Sequence, residues 1–154
     1  MPLKPPFKPH ILLRNTEFEY MPEIKFLGMR FTENLHWHAH ICSLCHILSK
    51  AFFIIKSIKN TLSSHVLWNI YFSYFHSRLR YGIILWRGSK ESIKALHIQK
   101  KVIRLITGIN KYESCRQKFK ENRILTVTSI YVLEVLCYIK KYEGYLKHNC
   151  EIHE

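Results

Sequence analysis

WHAHICSLCHILSKAFFIIKSIK, residues 37–59, is where the chain changes its period. Within it Ile41, Leu44, Leu48, Phe52 and Ile55 recur at three and four residues, the spacing of one helical face. A helix is therefore expected to about Lys59. Upstream, Ile24-Lys25-Phe26-Leu27-Gly28-Met29-Arg30-Phe31 alternates in part and reads as a strand, with Gly28 marking a bulge or a close backbone approach. Ile11-Leu12-Leu13 and Phe18-Glu19-Tyr20 flank Arg14-Asn15-Thr16 and predict a short hairpin. Pro2, Pro5, Pro6 and Pro9 make residues 1–10 a stiff leader.

Downstream, the pattern stays helical. Asn60 to Ser63 is a turn, and Ser63 or Ser64 caps a helix marked by Leu67, Ile70, Tyr71, Tyr74 and Phe75. Tyr81-Gly82 kinks or ends it, and Trp86 to Ser89 is a second turn. A third helix is expected from about Lys90 to Thr107, with Gly108 as its C-terminal cap. A short helix around Cys115 to Glu121 follows. The last helix, about Thr128 to Leu146, is apolar on most sides (Ile130, Val132, Leu133, Val135, Leu136, Ile139) and is expected to be buried. The fold class is mainly α: a small N-terminal β element over 11–34, then a bundle of four to five helices over 35–154.

Composition narrows the chemistry. Lys and Arg total 24 against 11 acidic residues, a net charge of +13 that attracts nucleic acid or an anionic surface. All 11 acidic residues are glutamates. Two-metal phosphoryl-transfer sites usually hold their ions with aspartates, and a Ser-His-Asp triad is excluded outright. No run of 18 apolar residues predicts a membrane span, no signal peptide is visible, and five cysteines is an odd number. An intracellular chain, cytoplasmic or nuclear, with reduced thiols is expected.

With His36 just before it, the opening stretch also carries His38, His40, His46, Cys42 and Cys45. Cys42 to His46 fits the C-x-x-C-H string of haem attachment, and Cys42 with Cys45 could serve zinc. Haem attachment requires export. Zinc requires two more ligands, which a continuous helix cannot bring to one ion. The ordinary reading makes both cysteines small, partly buried hydrophobes, with no metal and no cofactor. Glu134, in an apolar helix without a second acid or base, reads as paired or at the surface, and the aromatics from Trp68 to Phe75 read as core.

Lys90, Lys94, His97, Lys101 and Arg104 follow at four, three, four and three residues. That spacing makes one stripe, opposite Ile98, Val102, Leu105 and Ile106. Spacing alone does not separate a phosphate-binding face from a solvated one.

A series of motifs then stands in order. Lys25-Phe26-Leu27-Gly28 precedes Leu35-x-Trp37-x-x-His40-Ile41 and Leu48-Ser49-Lys50-Ala51. Tyr71-x-x-Tyr74-Phe75-His76-Ser77 and Tyr81-Gly82-Ile83-Ile84-Leu85-Trp86 follow. Gln99 to Gly108, Ser114-Cys115-Arg116-x-x-Phe119-Lys120 and Ile124-Leu125-Thr126 complete the series. From about residue 11 onward the chain resembles the C-terminal part of the reverse transcriptase of jockey-type non-LTR retrotransposons. It departs from that pattern at Arg87, which precedes Gly88, and at Thr126-Val127-Thr128, where the family favours proline. The resemblance implies a primer-grip strand at Phe26, Leu27 and Gly28, and thumb helices that close on a template–primer duplex. The catalytic aspartates of the family lie upstream of this region, so the chain reads as a non-catalytic piece cut at both ends. The expected partner is an RNA or RNA–DNA duplex, bound with low specificity, and no small-molecule substrate or membrane is expected. The alternatives are a stranded fragment without present function and a metal-binding helical module.

Overall fold

The computed structural model of the chain describes residues 12–13, 16–17 and 21–145. The expected leader over 1–10, the Phe18 to Tyr20 segment of the expected hairpin and residues 146–154 lie outside the described residues. The described residues are mainly helical, about 66%, with the β element at the start, as the period change predicts.

Strands β1 (Leu12–Leu13) and β2 (Thr16–Glu17) pair antiparallel, Leu12 with Glu17 and Leu13 with Thr16, so Thr16 belongs to a strand and not to the turn. Residues 24–31 are not one strand. They form a second hairpin, β3 (Glu23–Phe26) and β4 (Met29–Thr32), with Phe26 opposite Met29. Leu27 (φ 46°) and Gly28 (φ 79°) make its two-residue turn. Two positive φ angles define the I′ geometry that matches the right-handed strand twist. Gly28 therefore serves a turn and not a bulge. Alternation alone could not show the reversal, because a two-residue turn keeps the period of two.

Helix α1 (His38–Ile58) follows, and its buried stripe is Ile41, Leu44, Leu48, Ala51 and Ile55. By length and hydropathy (21 residues, mean 1.6) this helix could cross a membrane, yet its apolar stripe is the core, packed on α5 (Ile93–Thr107). Helix α2 (Ser64–Ile70), a π-helical segment (Tyr71–His76) and α3 (Ser77–Arg80) form one continuous rod. Its buried residues, Leu67, Tyr71, Phe75 and Leu79, recur every four residues. An α-helix advances by about 100° per residue, so strict fours drift roughly 40° per step. The wider π segment turns back part of that drift and keeps all four on the core. The face thus runs through Leu79, while Tyr74, expected on it, is 38% exposed.

Tyr81 is extended and Gly82 left-handed (φ 62°), so the rod ends where expected. The single turn α4 (Ile83–Trp86) follows, too short to leave a period in the sequence, and it buries Trp86 completely. A Cβ on Gly82 would stand 2.7 Å from the Met29 sulfur, and Met29 is the side chain that docks the β3–β4 hairpin on the helices. After the 3-10 turn Lys90–Ser92, α5 ends at Gly108 (φ 73°), whose N–H reaches the Arg104 carbonyl. Helix α6 (Arg116–Glu121) and helix α7 (Val127–Lys141) complete the fold.

The last helix corrects the sequence reading twice. It stops at Lys141, before the expected Leu146. It is also not buried: only Val127 and Ile130 are, whereas Val132, Leu133, Leu136 and Ile139 are 42–58% exposed. An apolar circumference shows that a helix prefers cover, and it does not supply the neighbour.

Candidate nucleic-acid interface

Helix α5 carries the expected stripe. Ala95, Gln99, Val102, Ile103 and Ile106 are buried, while Lys94, His97 and Lys101 are exposed on the opposite side and Arg104 is half-buried. Ile98 and Leu105 are half-buried at the flank and not fully inside. Lys90 stands apart, on the 3-10 turn beside Glu91, and lines a hollow with Leu35 to His38. The stripe is therefore purely basic only in its C-terminal part.

Arg104 is the pivot. Its guanidinium donates to the Glu113 carbonyl from Nε (3.3 Å) and Nη2 (2.9 Å), which fixes it against the loop after α5. On one side lies a hollow of about 680 Å³ between α5, α6 and the start of α7. Lys100, Arg104, Arg116, Lys120 and Arg123 line it. On the other side a hollow of about 410 Å³ is lined by Lys59, Lys101, Arg104 and Lys111, over Phe52, Leu105 and Ile109. Among the described residues no carboxylate lines either hollow.

Glu113, whose carbonyl receives the Arg104 guanidinium, turns its carboxylate to the Asn110 N–H at 3.2 Å. Glu121 is held by Lys118 at 2.7 Å, and its carboxyl lies below the usual range chiefly through that hydrogen bond. Among the described residues, ion pairs join Glu23 to Arg30, Glu134 to Arg80 and Glu143 to Lys140, and none involves a cation lining the two hollows. Eight unneutralised cations on neighbouring elements produce a positive potential whose counterions a polyanion would release.

Local sequence explains the larger hollow. Cys115 stands at the N-cap of α6 without a side-chain cap bond, its thiol donating instead to the Lys100 carbonyl of α5 at 3.7 Å, and burial pushes that thiol up. Phe119 and Ile124 form the apolar bottom and are both buried. The Ile124 N–H reaches back to the Phe119 carbonyl at 2.8 Å, closing α6 in a Schellman turn that puts Arg123 in the left-handed region (φ 53°). Thr126 caps α7, its hydroxyl accepting from the Ser129 N–H.

Sequence reasoning missed Lys59, Lys100, Lys111, Arg116, Lys120 and Arg123. The one visible signal was Arg116 with Lys120, four apart on α6; the rest converge only through packing.

The primer-grip-like residues sit elsewhere. Phe26 and Leu27 are 60% and 72% exposed at the hairpin tip, where the Tyr81 hydroxyl donates to the Leu27 carbonyl. Gly28 lines a small crevice with His40, Arg78 and Tyr81.

The His/Cys stretch proves mixed. Cys42 is exposed and touches His38, Cys45 is half-buried, and among the described residues no three His, Cys, Asp or Glu side chains gather as metal ligands. His40 is buried between the rings of Trp37 and Trp86, at centroid distances of 6.0 and 6.5 Å. Burial, and then the charge of Arg30, holds its pKa below the ordinary histidine value. Glu134 is paired, with Arg80. Of the aromatic helix, Tyr71 and Phe75 are core and Phe72 is 44% exposed.

No family model, curated protein or solved structure matches the chain.

Proposed function

We propose that the chain is a non-catalytic, thumb-like piece of a retrotransposon reverse transcriptase that binds RNA or RNA–DNA duplex through backbone phosphates. The cationic surface around Arg104, whose two hollows are lined by eight Lys and Arg side chains and, among the described residues, by no carboxylate, carries this reading. Two further features support it. The motifs of the resemblance run in order through a hairpin followed by helices. The hairpin and α7 also leave Ile24, Phe26, Leu27, Leu133 and Leu136 exposed, the apolar surface of a piece made to lie against more protein. Contacts limited to phosphates read no base edges, so binding is largely blind to sequence.

The test is the salt dependence of duplex binding. Each duplex phosphate neutralised adds about 0.9 to the slope of log K against log salt. Replacing Lys94, Lys101 and Lys111 together with Gln is expected to flatten that slope by about 3 and to lower affinity equally on every sequence. The control replaces Lys56, Lys140 and Lys141, which removes the same charge elsewhere. Equal losses in both variants would reduce the interaction to diffuse attraction and sink the reading.

A further inference from the structure

We infer that the larger hollow seats one unstacked nucleotide of a single strand; this rests on the reading that the cationic surface meets nucleic acid. A duplex presents its phosphates on a convex cylinder and keeps its bases stacked inside. It can lie across the stripe of α5, but it cannot fill a concavity. The hollow measures about 680 Å³, within the range of ligand sites. Its bottom is Cys115, Phe119 and Ile124, with Leu125 (40% exposed) at the rim, a surface for the flat face of a base.

The charge around that bottom exceeds what one carboxylate needs. Lys100 and Arg104 come from α5, Arg116 and Lys120 from α6, and Arg123 from the turn after it. Two cationic elements either side of an apolar bottom suit two successive phosphates flanking one base. Sequence-tolerant strand binding is built from these parts, an electropositive groove and apolar faces for the bases.

Arg123 supplies an independent observation. It occupies the residue after a helix C-cap with φ 53°, where glycine is the relaxed choice. At the end of α5 the same position is Gly108. The chain thus holds an arginine in the left-handed region at the rim of the larger hollow, whereas at the smaller cationic hollow that backbone conformation falls to Gly108. Backbone strain held in this way points to a side chain required for binding.

The test uses the full chain and two labelled probes, a 12-nucleotide oligothymidylate and a blunt 12-base-pair duplex, followed by fluorescence anisotropy at one salt concentration. R123G relieves the strain, so it should unfold at a higher temperature than the parent while binding the strand more weakly. K120Q/R123G is expected to weaken oligothymidylate about fivefold or more and the duplex less than about twofold. L125E, which sets a carboxylate at the rim, should act in the same direction. Thymidine 5′-monophosphate should displace the strand at lower concentration than inorganic phosphate. Equal losses on both probes would overturn the nucleotide pocket and leave the duplex reading standing. Displacement by a 12-residue oligoglutamate as readily as by thymidylate would make the hollow an acidic-peptide site and also overturn it. Failure of the parent chain to bind either probe would overturn the duplex reading together with the pocket.

Discussion

Gln99 is the residue on which three elements meet. It is fully buried on α5, its Nε2 donating to the Tyr71 hydroxyl (3.0 Å) and to the Leu125 carbonyl (2.9 Å). Its Oε1 accepts from the Val127 N–H at 3.0 Å, a free donor at the start of α7. Gln99→Leu keeps much of the volume and orphans all three partners. A loss of about 3 kcal/mol is expected in urea unfolding, since each buried unsatisfied group costs about 1–3 kcal/mol. A loss below about 1 kcal/mol would show that water replaces the amide. His40 carries the pH dependence. Its Nδ1 accepts from the Arg30 N–H at 3.4 Å, so protonation would set one donor against another. Above about pH 6.5 the ring is neutral in both the folded and unfolded states, and the shift changes nothing. Below it the unfolded chain takes up a proton that the folded ring resists. Stability then falls with pH, by up to about 1.4 kcal/mol per unit, until the lowered folded pKa is passed. His76 is lowered too, by burial and then by Arg80, and adds to the same slope. His40→Gln should therefore flatten the acid limb of a pH–stability curve, leaving the share of His76. An unchanged limb would refute the buried neutral ring.

At the scale of elements, the question is which apolar faces are covered. Helix α7 fully buries only Val127 and Ile130 against the bundle, with Tyr131 half-buried beside them and Glu134 paired to Arg80. Beyond them Leu133, Leu136 and Ile139 face outward, although their residue types match those of the core stripe of α1. Ile130→Ala should cost about 2–4 kcal/mol, because it leaves a cavity in a packed site. Leu136→Gln together with Ile139→Gln should cost well under about 1 kcal/mol, since exposed substitutions change little. Equal costs would place a partner surface on α7 and contradict its exposure. Glutamine at these positions should also reduce self-association in sedimentation. The rod over 64–80 shows the opposite case. Its apolar spacing of four does not suit a plain α-helix, and the π segment changes the backbone so that the whole face is covered.

For the molecule as a whole, +13 is an average over an uneven surface. Among the described residues Glu23, Glu121, Glu134 and Glu143 are each paired with a Lys or Arg, and eight cations line the two hollows around Arg104. On the proposed reading, a chain without aspartate is expected to bind a primed template and extend nothing. Primer extension with Mg²⁺ or Mn²⁺ should stay at the level of a vector control. Extension above that level would overturn the non-catalytic reading, because glutamates alone would then be holding the ions.

The sequence by itself determined what depends on neighbours in the chain. The helical period over 41–55, the caps at Ser63 and Gly108, the break at Tyr81-Gly82 and the basic stripe of α5 were legible, because backbone hydrogen bonds and side-chain directions repeat over a few residues. The tertiary structure alone decided what depends on distant segments. It turned one apparent strand into a hairpin with Leu27 and Gly28 at its tip, and left the second half of α7 exposed among the described residues. It also brought Arg116, Lys120 and Arg123 beside Lys100 and Arg104, and gave Gln99 its three partners. A sequence pattern states which surface a residue prefers to bury or expose. Packing assigns the neighbour, because burial and electrostatic convergence are properties of pairs of segments.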